Sequence, residues 1–285
     1  DLVEKDTMST RDYEAKIREE LMPFTDVPIL FVSALTKQRL LKALEATVQV
    51  LQPATVDYVG SKVGKKETVK LPYWMGSMKK FKPEHEKDLK NWMKKYKGPF
   101  VISDKLDGVS GLYDGSKLYT RGDGSNGRDI SHLISKVKGF PKNVPEDYVV
   151  RGEIIITKCD FNILVDNDVV PDTGNPRNTV AGITNAKKPN AGILDYVKFV
   201  AYELVQPRMP ADEQMRAMSS IGFITANNIT SVDVSINNLT HILQSRKKES
   251  PFEIDGIIIT DSSKDHGVNK SGNPEHAFAF KLPTS

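Results

Sequence analysis

From about residue 99 onward the chain is a succession of short runs rich in β-branched and aromatic residues: PFVISDKLDG, KLYTRGD, YVVRGEIII, YVKFVAYELV, EIDGIIIT and AFAFKLP. Turn-forming clusters such as GDGSNG and DTGNPRN break them apart. Runs of that length and composition predict strands. Most are joined by loops rather than by regular helices, so the pattern predicts an α+β fold of mainly antiparallel sheets and argues against parallel pairing through helical crossovers. One helix stands out at PEHEKDLKNWMKKYKG, with Pro83 at its start, Leu89, Trp92, Met93 and Tyr96 on one stripe, and Gly98 as its cap.

Residues 1–53 have a different texture and predict a helix–strand–helix unit. Tyr13, Ile17 and Leu21 share one helical face behind a cap at Ser9 or Thr10. PILFVSA, residues 28–34, is a buried strand, and Leu40, Leu41, Leu44, Val48 and Leu51 follow a helical period that Pro53 stops. The expected division is therefore an appendage at 1–53 and a larger domain at 54–285. With 285 residues, of which 39% are hydrophobic and 27% charged, the chain can bury a core in each part.

No stretch reaches the roughly 18 to 20 consecutive apolar residues of a membrane span, and DLVEKDTMST is no signal peptide. The single cysteine, Cys159, excludes an internal disulfide and a cysteine-rich zinc site. These features predict an intracellular, cytoplasmic protein. Net charge is only +3, but from Lys62 to Lys97 twelve lysines face four acids, Glu67, Glu84, Glu86 and Asp88. Such a block is either a solvated face or an attraction for polyanions such as nucleic acid. GSKVGKK, residues 60–66, resembles a phosphate-binding loop but lacks one spacer and ends in Lys66 where a hydroxyl is needed. The five histidines, at 85, 132, 241, 266 and 276, show no ligand spacing and read as surface or loop residues.

The chemistry centres on KLDG, Lys105 to Gly108, at the end of an apolar strand. An amine with an ordinary pKa near ~10.4 is a nucleophile only in surroundings that free its lone pair, and a strand end beside other cations is such a place. Asp107 lies on the same side of the strand as Lys105, where it could hold the lysine or a metal, and Gly108 lets a ligand approach the backbone.

KLDG is followed by TRGDGSNGRDIS (120–131), VRGEIII (150–156), NPRN (175–178), FVAY (199–202), EIDGIII (253–259) and AFAFKLP (277–283). In this order the motifs resemble the nucleotidyltransferase (adenylation) domain of NAD-dependent DNA ligases, and VDYVGSKVGKKETVKLPYWMGSMKKF resembles the stretch leading into it. YWMGSMKK and DISHLI are most similar to the versions carried by large DNA viruses and phages. The resemblance implies the ligase nucleotidyltransferase fold over residues 54–285. It further implies a lysyl-AMP intermediate formed on Lys105 from NAD with Mg²⁺, and transfer of AMP to the 5′-phosphate of nicked double-stranded DNA.

By the same resemblance Arg121 and Glu153 hold the ribose and phosphate region, Ser77 and Met78 lie against adenine, and Tyr202 stacks on it. Asp107 belongs to the nucleotide site, Lys281 contacts the α-phosphate, Arg177 lies near the nicked phosphate, and Asp255 sits in the fourth motif. Three positions depart from the family pattern: Ser103 stands where an acid is usual, Thr260 where a lysine is usual, and Asn185 where a second arginine is usual.

Residues 1–52 do not carry the helical domain that grips the nicotinamide half in bacterial ligases. They resemble instead the tail of the second GTPase domain of tandem-domain ribosome-assembly GTPases, with Asp1 closing an NKxD motif and Ser33-Ala34 as the guanine loop. They are either a fused or mis-joined segment or a helical cap that reads this way by coincidence. The competing functions are a ligase or capping-type nucleotidyltransferase using ATP or GTP, and a fold that holds nicked DNA without chemistry. The oligonucleotide-binding barrel, zinc module and helix-hairpin-helix repeats of full ligases are expected on the full-length protein or on a partner chain.

Overall fold

A computed structural model describes residues 68–283, which fall within the second of the two units into which the chain divides, Lys65–Ser285. The expected helix–strand–helix of residues 1–53, the GSKVGKK segment and the first lysines of the basic block lie outside the described residues.

The described chain runs β1 (Val69–Lys70), β2 (Lys79–Phe81), a 3₁₀ turn (Pro83–His85), α1 (Glu86–Lys95), β3 (Phe100–Leu106), β4 (Val109–Tyr113), β5 (Leu118–Thr120) and β6 (Asn126–Gly127). It continues through β7 (Val149–Ile155), α2 (Lys158–Asp166), α3 (Pro176–Asn185), α4 (Ala191–Leu194), β8 (Lys198–Gln206), α5 (Ala211–Ile221), β9 (Asn228–Ser231), α6 (Ile236–Glu249), β10 (Ile254–Asp261) and β11 (Ala277–Phe280). One sheet has the order β2-β11-β10-β3-β9, antiparallel except for β11 with β2. A second, fully antiparallel sheet has the order β5-β4-β7-β8, and β1 pairs with β6. The α+β class with mainly antiparallel sheets is therefore the one the strand pattern predicts.

The connections differ from expectation. NPRN is not a turn: Asn175 caps α3 by accepting from the amide of Asn178, and Pro176 sits in the first turn, where its missing N–H costs nothing. Three helices join β7 to β8, and α5 and α6 flank β9. Polar capping residues in these segments read as loops in the sequence because they stop the preceding strand as effectively as they start a helix. Gly98 is not the cap of α1 either. The helix ends at Lys95, Tyr96 is already extended, and Gly98 takes φ 74° to turn into β3.

β3 serves two cores. Phe100 and Ile102 pack with Ile257, Ile259, Phe278 and Leu239 under α1 and α6, whereas Val101, on the opposite side of the strand, joins the cluster built by the second sheet with α2, α3 and α5. Asp104 follows the parity of Ile102 and so points away from Lys105. It is 4% exposed, and Arg246 of α6 reaches it through both Nε and Nη2, at 2.9 and 2.8 Å. Arg246 thus lies behind the sheet, opposite the face that carries Lys105. Arg246→Met is expected to strand the Asp104 carboxylate in the core and to cost about 3 kcal/mol in a denaturant titration. A loss under about 1 kcal/mol would mean that the pair is dispensable.

Candidate active site

β3 belongs to one sheet and β4 to the other, so the chain crosses between sheets at Asp107-Gly108. The crossing is tight. A side chain on Gly108 would meet the Ile154 carbonyl at 2.4 Å and Glu153 Cγ at 2.9 Å, so glycine is required there. Its amide donates to Glu153 Oε1 at 3.2 Å, which joins the KLDG segment to β7.

Lys105 is opposed by Asp255 and Lys281. Its Nζ stands 2.9 Å from Asp255 Oδ1, and Lys281 Nζ donates to Asp255 Oδ2 at 2.5 Å. The Lys105 contact is an ion pair at an angle that leaves Oδ1 short of a hydrogen bond. Burial works against the Asp255 carboxylate, but the charge of Lys105, the hydrogen bond from Lys281 and the charge of Lys281 hold its pKa below the usual range. The sheet register explains how Asp255 gets there. Leu106 pairs with Ile254 and Lys105 with Gly256, so Asp255 is the extra residue of a bulge that turns its side chain toward the lysine.

The second wall comes from β4, β7 and β8. Glu153 is 6% exposed; Ser110 Oγ donates to its Oε2 at 3.1 Å and lies 3.3 Å from the Tyr202 hydroxyl. Burial pushes the Glu153 carboxyl up to about 7, against the Ser110 hydrogen bond, the Lys105 charge and the Gly108 amide. Tyr202, whose phenol burial also raises, is again a register irregularity: Gly152 pairs with Ala201 and Arg151 with Glu203, leaving Tyr202 opposite nothing. Arg151 lies over the Tyr202 ring, 5.9 Å from its centroid, pairs with Glu203 and donates to the Gly76 carbonyl at 3.2 Å. Arg121 donates to the Met75 carbonyl at 3.1 Å and to Ser77 Oγ at 2.7 Å.

The carboxyl of Glu153 binds a proton more tightly in the folded chain than the ordinary 4.5 of the unfolded one. Its contribution to stability is complete below the unfolded pKa and is lost as pH rises through about 7. Glu153→Gln is therefore expected to stabilise the fold by about 3 kcal/mol at pH 8 and by under about 1 kcal/mol at pH 5. Denaturant titrations at the two pH values check this; an equal effect at both would remove burial as the cause.

Most of the residues singled out by sequence fall into linked groups: Lys105 and Lys281 share Asp255, Glu153 and Tyr202 share Ser110, and Arg121 bonds Ser77. Met78 is half-buried at the entrance to β2. Asp107 does not hold Lys105. It accepts from Arg177, at the second position of α3, at 2.5 Å, so its carboxylate orients the arginine. Asn185, where a second arginine was expected, accepts at 2.7 Å from Arg128, so a cation stands at that position from another element. The acid missing at Ser103 is not supplied by Asp104, which faces the other way. Sequence reasoning missed Ser110 and Arg151. The alternation of β4 and β7 places both on the faces already carrying Gly108 and Glu153, and that parity was the available signal. His266 and His276 lie in the loop between β10 and β11, as the sequence reading allowed, and are half-buried there, with rings stacked at 4.4 Å and His266 bonded to Asp261.

Among the described residues no group of three or more His, Cys, Asp or Glu side chains could cage a metal. A Mg²⁺ here would therefore be bound largely by the phosphate oxygens of a nucleotide and by water, the hard oxygen donors this ion prefers. Among the same residues no helix is long and apolar enough to cross a membrane.

The family described as NAD-dependent DNA ligase adenylation domain matches residues 73–285. A DNA ligase of Acanthamoeba polyphaga mimivirus is 42% identical over 239 residues, covering 79% of this chain and 36% of that protein. DNA ligase 2 of Streptomyces coelicolor is 31% identical over 217 residues, covering 65% of this chain and 30% of that protein. GTPase Der of Flavobacterium psychrophilum is 94% identical over 52 residues, covering 18% of this chain and 12% of that protein. The chain thus spans about a third of the length of the ligase relatives it matches.

Proposed function

The chain belongs to the family of NAD-dependent DNA ligase adenylation domains, and from that membership we propose that it forms a lysyl-AMP on Lys105 using NAD and passes the AMP to the 5′-phosphate of nicked DNA. The observation that carries the reading is the Lys105–Asp255–Lys281 arrangement: one amine, one carboxylate within 2.9 Å of it, and a second cation fixed on that carboxylate.

In the first step Lys105, which meets Asp255 as an ammonium, gives one proton to Asp255 Oδ1, and the freed lone pair of Nζ attacks the α-phosphorus of the dinucleotide. The bond to the bridging oxygen breaks, nicotinamide mononucleotide leaves with that electron pair, and a phosphoramide bond to AMP remains. The second proton of the amine passes to solvent. Lys281 then faces the phosphorus, where its charge offsets the negative charge that develops on the phosphate oxygens. Bound Mg²⁺ would withdraw charge from the same oxygens. Glu153, tied to the Gly108 amide and Ser110, holds ribose hydroxyls, and Arg121 with Ser77 and Tyr202 bounds the base.

In the second step Arg177 grips the phosphate of the nick. Its guanidinium is aimed by Asp107 and is more than half exposed, so it can meet a ligand without being unburied. The solvated lysines of α1 add charge attraction for a polyanion. ATP as donor is the second reading, because the KxDG lysine is shared with ligases and capping-type nucleotidyltransferases that use ATP or GTP. Residues 1–53 are proposed as a segment foreign to the ligase unit, on the strength of the match to GTPase Der.

The test is intact mass after incubation with Mg²⁺ and either NAD, ATP or GTP. One added AMP with NAD alone supports the proposal. An adduct with ATP alone moves the donor assignment, and no adduct with any of the three leaves a DNA-holding fold without chemistry.

A further inference from the structure

The indole of Trp74 sits where three separate segments of the chain meet. Its Nε1 donates to the carbonyl of Gly272, 2.8 Å away, in the β10–β11 connection. A methyl group on Gly76 would fall 2.5 Å from that same carbonyl and 2.7 Å from the indole Nε1, so the backbone at Gly76 is pressed against both. The six-membered edge of the ring lies against Gly124, where a Cβ would stand 3.0 Å from two ring carbons. Gly124 belongs to the turn that follows Arg121, and its carbonyl accepts from the Met75 amide at 2.9 Å. One rigid side chain therefore spans the gap between the β10–β11 connection and the Arg121 turn.

The three residues after Trp74 are the ones the two site arginines hold. Arg121 takes the Met75 carbonyl and Ser77 Oγ, and Arg151 takes the Gly76 carbonyl while lying over Tyr202. The β10–β11 connection leads from the strand of Asp255 to the strand that precedes Lys281. It is fastened elsewhere, by Trp92 Nε1 on the Glu275 carbonyl at 2.8 Å and by Arg208 on Asp265 at 2.6 Å. Gly272 is the point at which this anchored connection touches the segment bordering the nucleotide.

We infer that Trp74 is a positioning residue: it fixes the Gly76–Met78 backbone that forms one wall of the base slot and couples that wall to the β10–β11 connection. The inference rests on the reading of these residues as a nucleotide site. A wall displaced by loss of the indole weakens ground-state and transition-state binding alike, so the change falls on half-saturation and not on the maximal rate.

The experiment compares wild type, Trp74→Phe and Trp74→Leu in single-turnover formation of the Lys105 adduct across NAD concentrations. Amide hydrogen exchange of the nucleotide-free proteins and thermal unfolding run alongside. Trp74→Phe keeps a ring against Gly124 and loses the donor to Gly272, so half-saturation should rise roughly five-fold, the worth of one hydrogen bond, with the maximal rate within about two-fold. Trp74→Leu should raise it further. Exchange should quicken together at residues 75–78 and 268–273 in both variants, with little change in β3 or β7. Unchanged half-saturation, a loss confined to the maximal rate, or faster exchange at 268–273 without residues 75–78 would overturn the inference. If wild type forms no adduct with any nucleotide, the proposed function fails by that result alone, and the exchange data still decide whether Trp74 couples the two segments.

Discussion

Lys105→Ala is expected to abolish adduct formation, to below a thousandth of the wild-type rate. The amine is the only atom in the proposed step that makes a bond to phosphorus, and the alanine variant keeps no group that could take its place. Lys281 is the nearest alternative amine, but it is already donating to Asp255 Oδ2 and is carried by the segment after β11. Lys105→Arg should be equally inactive, since a guanidinium keeps the charge and the Asp255 pair but does not give up a proton. The two variants therefore separate nucleophile from counter-ion. Loss in alanine with retention in arginine would mean that Lys105 acts by charge alone, and an adduct of normal yield in either variant would place the nucleophile on another residue. Because Lys105 is half-buried at a strand end rather than packed in a core, both variants should unfold within about 1 kcal/mol of wild type.

Much of this site could be read in the sequence, and the part that could not has a common cause. Strand positions came from short runs of β-branched and aromatic residues bounded by turn clusters, and all six predicted strands exist, because a buried strand imposes its composition locally. Lys105 was read from its motif, whereas Arg121, Glu153, Asp255 and Tyr202 came through family resemblance. For Asp255 and Tyr202 the structure shows why spacing alone could not place them. Each is the unpaired residue of a bulge, and a bulge shifts the parity on which face assignment depends.

The pairing of Asp107 with Arg177, and not with Lys105, was hidden for another reason. The two are 70 residues apart, and the helix that brings them together begins in a segment whose Asn-Pro composition reads as a turn. Arg246 reaches Asp104 from the face of β3 opposite Lys105 because α6 packs there, a choice made by Leu239 and Leu243 in the core rather than by the charges themselves.

Asp255→Asn should be the second most damaging change, lowering the rate of adduct formation by about 100-fold to 1,000-fold at saturating nucleotide. Three effects combine in one substitution. The amide no longer accepts a proton from Lys105, it no longer holds Lys281 by charge, and it leaves two ammonium groups facing one another without the carboxylate between them. Asp107→Asn provides the contrast. Its carboxylate is engaged by Arg177 at 2.5 Å, so the variant should leave adduct formation within about 10-fold of wild type and instead weaken the later transfer to a nicked DNA substrate. Single-turnover adduct formation and AMP transfer to a nicked duplex, measured separately on both variants, distinguish the two roles. If Asp107→Asn proved the more harmful in the first step, Asp107 and not Asp255 would be the carboxylate that serves the reacting amine.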